Sequence, residues 1–542
     1  MRSVLRLLSA VVLWCGATAF LPLDNPSGGR TGPHLTIRND GKFVHNVGQL
    51  QLQISNYGVT GNPLYGVVST VPGAEWPPGS GNDYIYAAGL WVGAIDPSGI
   101  PHVSTAIGRT QADFEMSPTL APRRACAPLP LDQIADVRES YEGAPGGNRV
   151  ISSSVNPDDD GDGRIDEDFP NGEDDDGDGL CDEDFGAIGQ QMFAAEYYDD
   201  GENVRKRSPE HIPLGLRIQQ TSYAWSTPGQ ADFVGMDYTI HNIGGRTLRS
   251  VFVGIFADMD IGNRADCPNC YYDDDMAALF DSTVSYTGAT GESVSRRIQM
   301  GYMWDNPDDP LRPQDHKGGD VPGYFGLLFL NHTTDPSGVN APRRVGITSF
   351  RFFSGSAPFA AGGDPTDDSQ RYLLMSDPAL NPDVIGPVRA VRPLDYRIVM
   401  ATGPFRSLLP ESSLTVSVAW VMGGSRGPNP GGGSLIDNAI RAQQVFDGFY
   451  VDLDGDLRTG SCGKESCLRN TEAGSRGFVY QIPESSLCRL RFHNDVYTIP
   501  EFAGVPPWPA DATCEAIQDG KYVCPDGPGI THCASEDTLA LP

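Results

Sequence analysis

Residues 233–256 read Phe-Val-Gly-Met-Asp-Tyr-Thr-Ile-His-Asn-Ile-Gly-Gly-Arg-Thr-Leu-Arg-Ser-Val-Phe-Val-Gly-Ile-Phe. Val234, Met236, Tyr238 and Ile240 alternate with Gly235, Asp237 and Thr239, the period of two that gives a strand two unlike faces. Asn242-Ile243-Gly244-Gly245 supplies a turn, and the run from Leu248 to Phe256 is strand-like again. The same pattern recurs outward in both directions. Toward the N-terminus, Leu50-Gln51-Leu52-Gln53-Ile54 and the stretch from Tyr84 to Gly93 read as strands. Toward the C-terminus, Leu414, Val416, Val418 and Trp420 alternate with Thr415, Ser417 and Ala419. Many short strands divided by turn residues predict an all-β chain with β-sandwich regions of Ig-like or jelly-roll type. One segment departs from this period. After Ser434, a candidate helix cap, Leu435, Ile436, Ala439, Ile440, Val445, Phe446 and Phe449 fall mostly on one helical face. This predicts an amphipathic helix over 434–450 that packs on the sandwich.

With 542 residues, more than one domain is expected. The 64 glycines and 44 prolines are scattered among apolar strand-like runs, which marks loops between strands rather than a disordered chain. The reading divides the chain into an N-terminal β region (20–125), a connector (126–155), an acidic segment (156–186), a β-sandwich domain (187–433), the helix and a cysteine-rich C-terminal module (451–542). Residues 1–19 have the form of a signal peptide. Arg2 and Arg6 precede an apolar run over 7–14, and Ala17-Thr18-Ala19 is a small-residue cleavage signal, so Phe20 is the expected first mature residue. No later stretch is apolar enough to span a bilayer. The expected location is secreted or cell-surface.

Export accounts for the cysteines. Cys15 leaves with the signal, and ten of the 11 remain, an even number suited to disulfides in an oxidising compartment. Their spacing leaves the connectivity open. Cys462 with Cys467 and Cys267 with Cys270 are close-neighbour candidates. The net charge of −31 repels nucleic acid and anionic membrane and suits the binding of divalent cations.

That charge is concentrated. Residues 158–168 read Asp-Asp-Asp-Gly-Asp-Gly-Arg-Ile-Asp-Glu-Asp, and residues 174–184 repeat them with nine of eleven positions identical. Fifteen acids and one arginine lie between 158 and 184. Calcium takes six to eight oxygens in flexible geometry, and alternate aspartates with a glycine at the sharp bend deliver them. The candidate ligands are Asp158, Asp160, Asp162 and Asp166 with the Arg164 carbonyl, then Asp174, Asp176, Asp178 and Asp182 with the Leu180 carbonyl. Ile165 and Cys181 would anchor the two loops. Phe169 and Phe185 stand where an EF-hand has its bidentate glutamate. A solvated acidic linker is the competing reading of such a run.

The repeat resembles the thrombospondin type 3 and related Asp-x-Asp-x-Asp-Gly repeats, in which loops stack along the chain and neighbouring acids complete each site. The resemblance implies Asp168 and Asp184 as further ligands and Ca²⁺ as the bound ion. Together with the stretch from Asn82 to Ala94, Ala401-Thr402-Gly403-Pro404-Phe405 and Pro410-Glu411-Ser412-Ser413, it is similar to large secreted surface proteins of Gram-negative bacteria. Many of these leave by the type IX route, although residues 451–542 do not read as a type IX sorting domain. The stretch from Tyr238 to Gly245 resembles Ig-like adhesion modules. These resemblances imply a calcium-binding structural or adhesion protein without catalysis, whose partner is an extracellular protein or polysaccharide. A secreted hydrolase or carbohydrate-binding protein with structural calcium is the alternative.

Weaker signals remain. Asp258-Met259-Asp260 and Asp273-Asp274-Asp275 read equally as a second cation site or as solvated loop. Asp452, Asp454 and Asp456 share the alternate spacing, but Leu457 replaces the glycine. Cys267-Pro268-Asn269-Cys270 reads as a local disulfide in an acidic loop. Trp76, Trp91, Trp225 and Trp508 could stack on sugars or pack in the core. The sequence holds no His-Glu-x-x-His or phosphate-binding Gly-Lys-Ser motif. If the acidic repeat binds calcium, millimolar Ca²⁺ will slow amide exchange across 150–190. Unchanged exchange there would leave the solvated-linker reading standing.

Overall fold

The computed structural model describes residues 42–63, 72–108, 114–118, 138–141, 191–226, 228–265, 271–287, 293–306, 321–355, 357–428, 432–447, 468–470 and 476–479. The signal segment, the whole acidic repeat, Asp452, Asp454, Asp456, Trp508 and every cysteine lie outside these residues.

In chain order the first strands are β1 (Lys42–His45), β2 (Gln51–Ser55), β3 (Val59–Gly61), β4 (Ala74–Glu75), β5 (Asn82–Asp83), β6 (Ala87–Ile95) and β7 (Pro101–Thr105). There follow β8 (Arg138–Tyr141), β9 (Gln191–Tyr198), the short helix α1 (Glu202–Arg207), β10 (Leu216–Ala224), β11 (Phe233–Asn242) and β12 (Leu248–Asp258). Next come β13 (Gly262–Asn263), β14 (Asp275–Thr287), β15 (Ser293–Asp305), β16 (Tyr324–His332), β17 (Ser349–Ser354), α2 (Asp368–Ser376) and α3 (Pro382–Ile385). The last are β18 (Tyr396–Leu408), β19 (Ser413–Gly423), α4 (Leu435–Asp447), β20 (Leu468–Asn470) and β21 (Arg476–Val479).

Two large antiparallel sheets result, so the chain is all-β in its described part. The first runs β13-β5-β4-β2-β3-β6-β12-β18-β17, with β1 added on β2 and β7 on β6. The second runs β14-β15-β16-β19-β11-β10-β9-β8. Strands from both sides of residues 126–186 share the first sheet, because β6 pairs with β12 from Ala87↔Asp258 to Gly93↔Phe252. In the second sheet Tyr141 and Gln191, on either side of residues 142–190, are cross-strand partners at one edge.

The sheets face each other over one core. Leu52, Ile54, Leu90, Val92 and Ile255 of the first meet Met236, Tyr238, Phe325 and Trp420 of the second. Polar contacts cross the same gap: His45 Nε2 lies 2.7 Å from Ser222 Oγ, and Thr60 Oγ1 lies 3.9 Å from Met236 Sδ. The outer faces are covered too. Trp91, Phe252, Phe256 and Val399 on the far side of the first sheet pack with Tyr372, Leu374 and Met375 of α2. Gly93 and Gly254 leave room for this helix, since a Cβ on either would come within 2.8 and 3.1 Å of the Met375 side chain. Helix α2 lies in the stretch expected to be strand. Its start is set by Asp367, whose Oδ1 accepts from Gln370 N at 2.9 Å.

The alternation at 233–242 is therefore buried on both faces, with only Thr239 and His241 partly open. Asn242 shapes the turn that follows. Its Nδ2 donates to the carbonyls of Arg246 and Leu408, and its Oδ1 accepts from Gly244 N at 3.0 Å. The expected helix is α4, capped as expected by Ser434, whose Oγ accepts from Asp437 N at 3.1 Å. Leu435, Ile436, Ala439, Val445 and Phe446 are buried against the second sheet, whereas Ile440 is half-buried.

The seat of α4 is tight. A Cβ on Gly423 would lie 2.0 Å from Leu435 N and 2.5 Å from Leu435 Cα, both backbone atoms. Gly423→Ala should therefore lower stability by about 1–3 kcal/mol, as overpacking does. Gly245→Ala, with nothing within 4 Å, should stay within about 0.5 kcal/mol of the parent. Denaturant unfolding of both variants reads the difference.

Candidate metal centre

Three elements of the first sheet end at one place. Strand β12 finishes on Asp258, with Asp260 two residues on. Strand β18 begins at Tyr396, directly after Asp395, and its Arg397 is the cross-strand partner of Asp258. On the other side of β18, Phe353 of β17 is paired with Arg397. Register thus places Asp258, Arg397 and Asp395 side by side, and the loop after β12 turns Asp260 back onto them. One oxygen from each of Asp258, Asp260 and Asp395 lies within 4.8 Å of the others.

The cluster is enclosed. Asp258 and Asp260 are each only 7% exposed, and the Asp395 side chain is 28% exposed. Arg397 is the shared cation. Its Nε lies 3.1 Å from Asp258 Oδ2 and 3.8 Å from Asp364 Oδ1, and its Nη1 lies 3.2 Å from Asp395 Oδ1. Tyr271 donates its hydroxyl to Asp260 Oδ2 at 3.2 Å. Arg264 is committed to Asp83 at 2.7 Å, and the latter's Oδ1 accepts from the backbone amides of Gly73, Ala74 and Ile85.

Four carboxylates thus share one guanidinium, and the protonation state registers the imbalance. Asp258 is pushed up to about 7, by burial first and then by Asp395 and Asp364, with Arg397 opposing. Burial and then Asp258 and Asp395 push Asp260 well above the carboxylate range, and Asp395 is raised by burial. Burial alone would lower Arg397, but Asp258, Asp395, Asp364 and Asp260 outweigh it. Asp258 Oδ1 is buried without a donor, and its neighbour Asp260 can supply one only when that carboxyl holds a proton. The group is short of positive charge.

A divalent cation fits this set. All donors are oxygens, the preference of hard cations. Two oxygens on opposite sides of a calcium ion at about 2.4 Å stand about 4.8 Å apart, and these three lie within that span. Of the two aspartate groups in the sequence, Asp258 and Asp260 are ligand candidates and are not solvated loop. Asp273, Asp274 and Asp275 stand beside them without joining the set: Asp275 Oδ2 accepts from Ile261 N at 3.1 Å. Asp395, Asp364 and Arg397 had no signal of their own, because only sheet register brings them to Asp258. The twelve repeat residues from Asp158 to Asp184 lie outside the described residues. Of the tryptophans, Trp91 and Trp225 are buried in the core, and half-buried Trp76 donates to Asp232 Oδ1 at 2.9 Å.

No known protein-family profile and no curated protein matches the chain. Among solved structures, a lysyl oxidase of Pichia pastoris is similar at 7% identity and a TM-score of 0.20, over 64% of this chain and 48% of that one. This chain therefore spans about half the length of that protein, and a likeness so low carries no argument.

The sign of the pH effect follows from the raised carboxyl. With Asp258 near 7 when folded and about 4 when unfolded, the folded state keeps a proton that the unfolded state releases. In EDTA, stability will fall as pH rises from about 4 through about 7, by on the order of a few kcal/mol from this group. Asp258→Asn should flatten that slope. Equal slopes for parent and variant would remove the cluster as its source.

Proposed function

We propose that this chain is a secreted, non-catalytic, calcium-binding structural or adhesion protein of the cell surface or extracellular matrix, built on a β-sandwich of Ig-like or jelly-roll type. The observation that carries this reading is the enclosed carboxylate set of Asp258, Asp260 and Asp395, whose negative charge exceeds what Arg397 neutralises. A calcium ion held there takes one oxygen from each aspartate, with water completing six to eight ligands. It ties the end of β12 to the start of β18 and replaces the protons that burial otherwise imposes. The acidic repeat, with ligands from Asp158 to Asp184, is the second calcium element. It belongs to residues 142–190, whose flanks Tyr141 and Gln191 are paired at a sheet edge. The export signal and the even number of mature cysteines support an extracellular location, where calcium is abundant.

Ions that bind only the folded state raise its stability by mass action, about 1.4 kcal/mol at a concentration tenfold above Kd. Calorimetry in millimolar Ca²⁺ should show a higher Tm than in EDTA, and Asp258→Asn/Asp260→Asn should lose part of the rise. An identical Tm in calcium and EDTA would sink the proposal. A rise fully retained in the double variant would move the calcium site to the acidic repeat.

A further inference from the structure

On the far face of the second sheet three aromatic rings form a group at the margin of the core, with Tyr302 only 3% and Trp304 only 9% exposed and Tyr324 half-buried. Tyr302 and Trp304 of β15 are stacked with centroids 5.5 Å apart, and Tyr324 of β16 lies 5.6 Å from Trp304 and 6.3 Å from Tyr302. Two exposed arginines cover them. The Arg389 guanidinium lies 4.9 Å from the Trp304 centroid, and that of Arg426 lies 6.0 Å from Tyr302. Cation–π contact of this kind holds a guanidinium flat against a ring and leaves its N–H edge free to point outward.

Two features set this group apart from ordinary surface packing. The first is charge. The chain has 70 acids against 39 lysines and arginines, yet neither Arg389 nor Arg426 is in an ion pair among the described residues. Burial raises the Tyr302 hydroxyl, and it is opposed by Arg426, which also hydrogen-bonds that hydroxyl, and by Arg389. The second is anchoring. Arg389 forms an isolated β-bridge with Ala278 of β14, closed by Leu279 N to Val388 O and Ala390 N to Ala277 O. The Arg426 carbonyl accepts from Ile436 N in the first turn of α4. Both backbones are fixed, and among the described residues neither side chain is paired with a carboxylate.

We propose that this surface binds an acidic polysaccharide, a glycan carrying a carboxylate on its sugar ring. Half-buried Tyr324 offers a face to the C–H side of a sugar, and the Arg389 and Arg426 edges offer paired donors to carboxylates along the glycan. A planar arginine fork matches a carboxylate in two parallel hydrogen bonds, which a neutral sugar cannot accept in the same way. The repulsion from the rest of an acidic protein makes such a patch a local address and not a general stickiness for anions. The proposal does not rest on calcium at Asp258, Asp260 and Asp395.

The test uses the full chain in EDTA at low ionic strength, so that calcium cannot bridge acidic protein to acidic sugar. Affinity electrophoresis through polygalacturonate should retard the parent, and added salt should weaken the retardation. Arg389→Gln/Arg426→Gln keeps the rings covered, and with an unchanged Tm it should bind at least about tenfold more weakly. Neutral dextran should not retard either protein, and dextran sulfate separates carboxylate recognition from attraction to any anionic sugar. The proposal would be overturned by no retardation of the folded parent, equal binding by the Gln variant, equal binding to neutral dextran, or far tighter binding to dextran sulfate than to polygalacturonate. Self-association that the same substitutions abolish, without sugar binding, would overturn it in favour of a second copy of the chain.

Discussion

Two large sheets have four faces, and the fold depends on covering all of them. The inner faces cover each other across one core, and the two helices α2 and α4 cover much of the rest. This requirement explains why glycines stand inside strands, where they would otherwise weaken them. Gly93 and Gly254 form the bed of Met375, and Gly423 admits the first turn of α4. It also explains where the N-terminal strands go. Short strands β2 to β5 bury little by themselves, and pairing of β6 with β12 merges them into a sheet whose other strands come from much later in the chain. The connection runs through 126–186, so those residues join parts of one two-sheet body, not two separate sheets.

The same pairing creates the acidic cluster. Strand β12 is flanked by β6 and β18, and its last residue, Asp258, is held between Ala87 and Arg397 of those strands and is only 7% exposed. Carboxylates are rarely buried this deeply unless something positive meets them. Here Arg397 meets three of them, and Tyr271 donates its hydroxyl to Asp260. Removing Arg397 would leave the whole group uncompensated, so the guanidinium is a structural requirement whatever ion the site takes. An arginine also suits this place better than a lysine, because its planar fork reaches several carboxylates from one position.

Much of this was legible in the sequence, and the failures have physical reasons. Alternation placed β11 and β19 correctly, and Ser434 with its apolar face marked α4, because both signals are local and sum over many residues. Helix α2 was missed. It is only nine residues long, its helical period is short against the strand-like text around it, and its cap at Asp367 is one acid among many. Asp258 and Asp260 stood out by their spacing, but nothing local separated a buried cluster from a solvated loop. Asp395, Asp364 and Arg397 lie more than a hundred residues away from them, and only the pairing Asp258↔Arg397 shows that they belong together. The arginine-covered rings had no sequence signal at all. Tyr302 and Trp304 read as ordinary strand residues, and the arginines come from two loops that a sequence does not place over them.

The composition of the cation cluster bears on what kind of calcium site it would be. Tight sites surround the ion with many charged ligands on a rigid loop. This cluster offers three carboxylates from two chain segments, and a guanidinium in their midst already takes part of their charge. Water must supply the remaining ligands, and Arg397 repels the ion it sits beside. Both effects weaken binding toward the 10⁻⁴–10⁻³ M range of extracellular modules. A site of that strength is empty where calcium is micromolar and filled where it is millimolar. If the chain is exported, the cluster would stay protonated or open until then and take up its ion only outside, so that weak affinity, a defect in a sensor, would tie the end of β12 to the start of β18 only there.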